Sequence, residues 1–185
     1  VLWVLYGYSM AFGNDTGSIV GDPLEYFGLK GLIGGNSAAA AAGKAATDIP
    51  LAGTLPMNVF VAFQLMFAII TVALISGAVS DRLKFSAWLV FAGLWATLVY
   101  FPVAYWVFNL GDGWAAFGLK VNDFAGGTAV HINAGAAGLA LALVLGKRVG
   151  FRKGLSKPHN VPLTLLGAAL LWGVARDVNL RSAFI

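Results

Sequence analysis

The chain has 185 residues, of which 59% are hydrophobic and 11% are charged, and its formal net charge is +4. Soluble domains carry about 25% charged residues, so this composition excludes an ordinary soluble domain, which would have too few polar groups to cover its surface. The sequence contains no cysteine, which excludes disulfide frameworks and cysteine metal sites.

The chain opens inside an apolar segment. Residues 1–13 are the predicted end of a membrane helix, and this stretch contains no basic n-region and no cleavage site. We therefore do not expect it to be a signal peptide, and we interpret residues 1–185 as a single membrane domain that is part of a longer protein. Residues 14–56 form a Gly/Ala-rich connection on which we place no element.

Three uncharged segments follow, and each has the ~20 apolar residues that are needed to cross the hydrocarbon core. They are residues 57–79, 85–108 and 124–145, the last of which contains His131. Proline lacks a backbone N–H and crowds the preceding turn, so Pro102 is expected to kink the second segment near its far end. The sequence therefore predicts an all-α membrane protein, a polytopic helical bundle.

The last predicted helix, residues 161–175, is a partial or disrupted span. Asn160 is placed to cap its N-terminus, but Arg176, Asp177 and Arg181 fall where the span should continue. A charge at mid-span costs roughly 2.5 to 3.5 kcal/mol on insertion scales. Our hypothesis is a local reading-frame disturbance. Sequencing the parent DNA tests it, and an uninterrupted frame that encodes these charges would contradict it.

Basic residues concentrate in two connections, 80–84 and 146–160. These connections lie on the same side of the membrane because two spans separate them. The positive-inside rule places both in the cytoplasm of a protein that crosses the cell membrane several times. The same distribution argues against nucleic acid as a partner, because the cations lie between apolar segments rather than in one patch.

His131 lies near the middle of the third uncharged segment. An ionisable side chain at this depth is costly and indicates a function by default. In an α-helix, Gly127 and Gly135 would stand one turn before and after it and leave its face free of bulk. Two interpretations stay open: an imidazole that lines a path or binds a ligand, or a neutral imidazole that a neighbouring helix satisfies.

Asp123 and two phenylalanines are the other candidates for function. Asp123 immediately precedes the histidine segment, where it is placed either to cap the helix or to attract a cation at the outer mouth. Phe63 and Phe67 share a helix face at i and i+4. They form ordinary lipid or core contacts, or else a cation–π surface with a hydrophobic constriction below it.

Four ordered strings resemble the ammonium transporter family, which comprises the Amt, Mep and Rh proteins. The resemblance extends along the chain to about Trp172, beyond which the sequence departs from the aromatic and glycine-rich run of the family. The strings are VLWVLYGYSMAFG, AFQLMFAIITVALISGAVSDRLKFSAW, DFAGGTAVHINAGAAGLALALVLGKRVGF and KPHNVPLTLLGAALLW.

The resemblance implies a fold and a set of site residues. The family fold is a bundle of two inverted repeats, assembled as a trimer, and this chain would supply most of the first repeat. Phe63 corresponds to the aromatic residue that recruits ammonium, Phe67 to the outer gate phenylalanine and His131 to the first of two facing histidines. The recruitment tryptophan of the family aligns with Phe108, and the nearest tryptophan is Trp106. Asp123 corresponds to the acidic residue ahead of the histidine helix.

The function that the resemblance implies is transmembrane transport of ammonium or ammonia, without a cofactor or a metal. The parent protein is expected to be a homotrimer, with a cytoplasmic regulatory protein as a candidate partner. One alternative is an ammonium sensor on the same fold. Another is a haem-binding electron carrier with His131 as axial ligand, which ranks low because the other histidine, His159, falls in a basic connection. Nothing in the sequence indicates an enzyme.

Overall fold

The computed structural model describes residues 1–32, 50–148, 150 and 160–182; at residues 171 and 173–182 the description is of the backbone alone. The described part is built around helices of very different length, with strand pairs only in the connections. Helix α1 consists of a π turn, Trp3–Gly7, that continues into an α-helical stretch, Tyr8–Phe12. The helices that follow in chain order are α2 (Met57–Ser76), α3 (Phe85–Phe108), α4 (Gly127–Leu145) and α5 (Val161–Ser182).

Three of these helices, α2, α3 and α4, are long and apolar enough to cross a membrane, counted over the described residues. Their mean hydropathies are 2.5, 1.7 and 1.7. Large apolar side chains on these helices, such as Ile69, Leu98 and Leu143, are exposed on the outside of the bundle, where they suit lipid rather than water. The predicted class, an all-α polytopic membrane bundle, is confirmed.

Helix α5 extends beyond the predicted segment. We expected a partial or disrupted span over about residues 161–175, and the backbone of α5 is helical through Ser182. Arginine and leucine are good helix formers, and none of the tail residues is proline. A charged side chain is therefore costly in lipid but does not interrupt the helical backbone. The apolar part, Val161–Leu170, is shorter than a membrane span. The side chains of Arg176, Asp177 and Arg181 lie outside the described residues.

Helices α3 and α4 each contain a π turn. In α3 it covers Ala96–Tyr100, and the N–H of Phe101 bonds to the carbonyl of Ala96. This turn ends shortly before Pro102. A π turn widens the helix locally, and it accommodates the proline, which cannot donate an α-helical hydrogen bond. The sequence led us to expect a distortion at Pro102, and the structure places a π turn one residue ahead of it.

The core lies between α1, α2 and α3. Helix α1 packs on the second half of α3, where the rings of Trp3 and Phe101 have centroids 5.9 Å apart. The Trp3 indole N–H donates to the Val61 carbonyl at 3.3 Å, which ties α1 to α2. Helix α4 packs along α2. The two contacts fix α2 in the centre of the described bundle.

The connection 14–56 has structure at both of its ends. Strand β1, Asp15–Thr16, pairs antiparallel with β2, Val20–Gly21, and a single 3₁₀ turn, Phe27–Leu29, follows. Strands β3, Leu51–Ala52, and β4, Leu55–Pro56, form a second antiparallel pair that leads into α2. The Gly/Ala-rich stretch GGNSAAAAAGKAA lies outside the described residues.

Candidate functional site

Three of the predicted aromatic residues come together at one end of the bundle. The Phe63 and Phe67 rings, one helical turn apart on α2, meet edge to face with centroids 5.0 Å apart. The Phe108 ring, from the end of α3, meets Phe67 with centroids 5.9 Å apart. Phe63 is 57% exposed, whereas Phe67 and Phe108 are half-buried. Phe67 is therefore the central ring of this aromatic set.

Trp106 does not share in this set. Its ring packs against Trp114, with centroids 5.8 Å apart, and its indole N–H donates to the carbonyl of Ile19 at 2.8 Å. Both contacts hold the indole against the connections at this end of the bundle. Phe108, rather than Trp106, is the α3 aromatic that contacts Phe67.

Asp123 is bound to the first turn of α4. Its carboxylate accepts hydrogen bonds from the backbone N–H groups of Gly127 at 2.7 Å, Thr128 at 2.8 Å and Ala129 at 3.1 Å. These are orphan donors of the helix N-terminus, and the negative charge is favourable beside the positive end of the helix dipole. Asp123 also lines the space in front of the helix, so capping and an electrostatic role are compatible.

The backbone turns sharply between Asp123 and α4 at Gly126, which has φ +73°. This left-handed conformation is open to glycine and costly for residues with a Cβ. A Cβ at Gly126 would also lie 2.8 Å from Cγ2 of Val130 and 3.3 Å from Cδ1 of Phe67. Glycine here lets the start of α4 lie directly against the central ring of the aromatic set.

His131 lies within a π turn that covers Gly127–Ile132. Its backbone N–H bonds to the carbonyl of Gly126 at 3.1 Å, five residues earlier, and its Nδ1 lies 3.2 Å from the same oxygen. We expected Gly127 to stand one turn before His131, which assumed an α-helix. In the π turn, the residue one turn before His131 is Gly126. A carbonyl oxygen only accepts, so a hydrogen bond at this contact requires the proton on Nδ1.

Two cavities meet at Asp123. One, of about 340 Å³, extends toward α2 and the end of α3, and the other, of about 370 Å³, extends along α4 to His131. Asn122, Asp123 and Phe124 line both. The first is completed by Phe60, Gln64, Val107, Phe108 and Leu110, and the second by Ala125, Gly127, Thr128 and His131.

Gln64 is a site residue that the sequence analysis missed. Its side chain is buried, and its Oε1 has no hydrogen-bond partner within the described part of the chain. It lines the same cavity as Asp123. The only signal in the sequence was a polar amide within an uncharged apolar span, directly after Phe63.

The segment 14–32, which we call the hairpin segment, covers this end of the bundle. The Tyr105 hydroxyl of α3 donates to Oδ1 of Asp15 at 2.6 Å, and the Ser9 hydroxyl of α1 donates to the Asp22 carbonyl at 2.7 Å. Burial and the neighbouring Glu25 carboxylate raise the pKa of Tyr26 to about 12, so this phenol is neutral at physiological pH. The two hydrogen bonds tie the hairpin segment to α3 and α1.

Comparison with known proteins gives one consistent family. The model of the Ammonium Transporter Family matches residues 1–174, and this match ends close to Trp172, where the resemblance was expected to stop. An ammonium transporter of Mycobacterium tuberculosis (strain ATCC 25618 / H37Rv) is 67% identical over 180 residues, which are 93% of this chain and 38% of that protein. An ammonium transporter of Bacillus subtilis (strain 168) is 47% identical over 183 residues, 99% of this chain and 41% of that protein.

Solved structures agree with the sequence relatives. The crystal structure of Candida albicans Mep2 superposes with a TM-score of 0.71 at 35% identity, over 92% of this chain and 35% of that chain. Saccharomyces cerevisiae Mep2 gives the same TM-score, 0.71, at 37% identity, over 92% of this chain and 36% of that chain. The chain spans well under half the length of the relatives that it matches.

Proposed function

The chain belongs to the ammonium transporter family, and from this premise we propose that the full-length protein carries ammonium or ammonia across a membrane. The observation that carries the proposal is the pair of cavities that share Asp123. One cavity is lined by Phe108 of the aromatic set, and the other is lined by His131. A cation held near Asp123 would therefore be close to both elements that a conduction path needs.

Recruitment of the cation rests on three kinds of group. The Asp123 carboxylate supplies a negative charge, and the polar side chain of Gln64 lines the same cavity. The exposed ring of Phe63 and the ring of Phe108 supply aromatic faces, which attract a cation by about 0.5–1 kcal/mol at exposed sites. Phe67, packed between the two rings, is placed to act as the gate. Trp106 has no such role in this proposal.

The step beyond the gate depends on His131. With the proton on Nδ1 directed at Gly126, the free Nε2 would accept a hydrogen bond from an N–H of the substrate. Ammonia carries N–H donors, and so does ammonium, whereas Na⁺ and K⁺ carry none. We infer that His131 contributes selectivity by an interaction that alkali cations cannot make.

Replacement of His131 by alanine tests this role. In the full-length protein, His131→Ala should lower selective methylammonium uptake by about tenfold or more, the loss expected for one hydrogen bond worth about 1.4 kcal/mol. His159→Ala, at the other histidine of this sequence, is the matched control and should retain uptake. Unaltered uptake and selectivity in His131→Ala would contradict the assigned role.

The assembly and orientation that we propose follow from the family and the charges. The full-length protein is a homotrimer in the cell membrane, and the connections 80–84 and 146–160 face the cytoplasm, where a regulatory protein would dock. A single cysteine at position 84 should react with a membrane-impermeant thiol reagent only in inside-out vesicles. Labelling from the outside would contradict the proposed orientation. No described feature favours a sensor over a transporter.

A further inference from the structure

Two buried hydroxyl groups lie between α2 and α3, behind the aromatic set. They belong to Thr71 of α2 and Tyr100 of α3, both of which are 0% exposed. Neither residue lines the cavities beside Asp123, so contact with the substrate does not account for them. We propose that they are positioning residues, which hold the backbone of Phe67 so that its ring closes the path. This inference rests on the proposed function, because Phe67 is a gate only if substrate passes it.

The Thr71 hydroxyl is bonded to the proposed gate residue itself. Its Oγ1 donates to the Phe67 carbonyl at 2.5 Å, and in an α-helix the same carbonyl also accepts the backbone N–H of Thr71. A threonine that bonds back to the carbonyl four residues earlier often bends its helix. The direction in which the Phe67 side chain leaves α2 therefore depends on the Thr71 hydroxyl.

Tyr100 extends this link to α3. It is the last residue of the π turn Ala96–Tyr100, which packs on α2. Its Oη lies within reach of Thr71, but in this conformation it is buried and forms no hydrogen bond within the described part of the chain. A buried hydroxyl without a partner is costly, and Oγ1 of Thr71 can still accept after it has donated to Phe67. Thr71 is thus placed to take the Tyr100 proton, which gives a donor chain from α3 to the gate carbonyl.

The Phe67 ring has close neighbours from two other helices, so a small shift of its backbone matters. The Phe108 ring of α3 meets it with centroids 5.9 Å apart. At the start of α4, its Cδ1 lies 3.3 Å from the point that a Cβ of Gly126 would occupy. Close-packed side chains transmit such a shift to their neighbours. Without the Thr71 hydroxyl, we expect Phe67 to occupy more than one position and the path to discriminate less between ammonium and K⁺.

The chain offers a matched control for Thr71. Oγ1 of Thr97, in α3, donates to the carbonyl of Gly93, also four residues earlier, at 2.8 Å, and the Tyr6 hydroxyl lies 2.9 Å from the same Oγ1. Neither Gly93 nor Tyr6 belongs to the aromatic set or lines the cavities beside Asp123. Thr97→Val therefore removes an equivalent hydroxyl without acting on Phe67.

The first measurement reads the position of the gate and does not require transport. 4-Fluorophenylalanine is incorporated at position 67 of the full-length protein in lipid nanodiscs, and its ¹⁹F spectrum is recorded. Thr71→Val should add a second resonance, whereas Thr97→Val should keep the spectrum of the unaltered protein. Thr71→Ser retains the hydroxyl and should keep that spectrum as well. No added resonance in Thr71→Val, or an added resonance in Thr97→Val too, would overturn the proposal.

The second measurement is the ratio of methylammonium to K⁺ uptake in proteoliposomes, which does not change when a variant only lowers the amount of folded protein. Thr71→Val should lower this ratio about fivefold, the factor that corresponds to one net hydrogen bond of about 1 kcal/mol. Tyr100→Phe should lower it in the same direction, and Thr71→Ser and Thr97→Val should keep it. Equal falls in Thr71→Val and Thr97→Val would overturn the proposal. Absence of methylammonium uptake by the unaltered protein would instead contradict the proposed function, and the ¹⁹F spectra would still decide whether Thr71 positions Phe67.

Discussion

The two ends of α4 are both capped by charged side chains, but the caps come from different places in the sequence. At the start of the helix, Asp123 accepts hydrogen bonds from N–H groups four to six residues ahead of it. At the far end, Arg82 donates to the carbonyl of Gly146, which is 64 residues away. Each charge has the sign that complements the helix dipole. The first cap forms between residues that are close in the sequence, whereas the second forms only when the fold brings Arg82 to the end of α4.

This difference separates the functions of the two ends. The Asp123 cap fixes only the entrance of α4 and leaves its carboxylate facing two cavities. The Arg82 cap joins the end of α4 to the end of α2, because the same guanidinium also binds the carbonyl of Ala78. We therefore expect substitutions at the Arg82 end to act mainly on stability and substitutions at the Asp123 end to act on stability and transport together.

Arg82→Gln should have the largest effect on stability. It removes two hydrogen bonds to backbone carbonyls and the ion pair with Asp81, and it leaves the partly buried carbonyl of Ala78 without this donor. We expect a loss of about 3 kcal/mol in the free energy of unfolding, measured by denaturant titration of the full-length protein in mixed micelles. Lys84→Gln, an exposed cation in the same connection, should change this free energy by less than about 0.5 kcal/mol. Equal losses of unfolding free energy in the two variants would contradict the role of Arg82 in joining α2 to α4.

Gly126→Ala should come second and act at the other end. Alanine must adopt φ +73° and displace Val130 and Phe67, so we expect a loss of about 2 kcal/mol and lower methylammonium uptake. Gly53→Ala is the matched control, because Gly53 has φ +60° and no heavy atom within 4 Å of its Cβ position. The difference in unfolding free energy between the two variants isolates the clash of the added Cβ with Val130 and Phe67. If the two variants lose equal stability, the contact with Phe67 is soft and α4 does not fix the position of this ring.

The same distinction explains what the sequence could predict. Apolar length identified α2, α3 and α4, and an acidic residue directly before an apolar run identified the Asp123 cap, because both signals are local. Gly146, which binds Arg82, and Ile19, which binds Trp106, are 64 and 87 residues away from these side chains, so no local pattern contains these two contacts. The π turn at His131 also escaped prediction, since it depends on how the start of α4 packs on Phe67. Gln64 is one polar residue among many apolar ones, and its burial shows only in the fold.

Asp123→Asn is a milder change at the entrance of α4. The amide keeps one acceptor oxygen but loses the charge and the second acceptor, so we expect a loss of about 1 kcal/mol in the free energy of unfolding. The apparent KM for methylammonium should rise as well, because the cavity loses its negative charge. Asp112→Asn, at an exposed acid of the same end, should change neither quantity. A stability loss with an unchanged KM would restrict Asp123 to capping.

The smallest effect should come from Trp106→Phe, which removes the indole N–H bond to Ile19 and keeps an aromatic ring beside Trp114. One exposed hydrogen bond is worth about 0.5–1 kcal/mol, so global stability should barely change while the hairpin segment opens more often. Limited proteolysis within residues 14–32 should become faster, and methylammonium uptake should be nearly unchanged because Phe108, not Trp106, contacts Phe67. Tyr105→Phe, which removes the bond to Asp15, should accelerate the same cleavage. A large fall in uptake in Trp106→Phe with unaltered proteolysis would instead place the indole in the recruitment site.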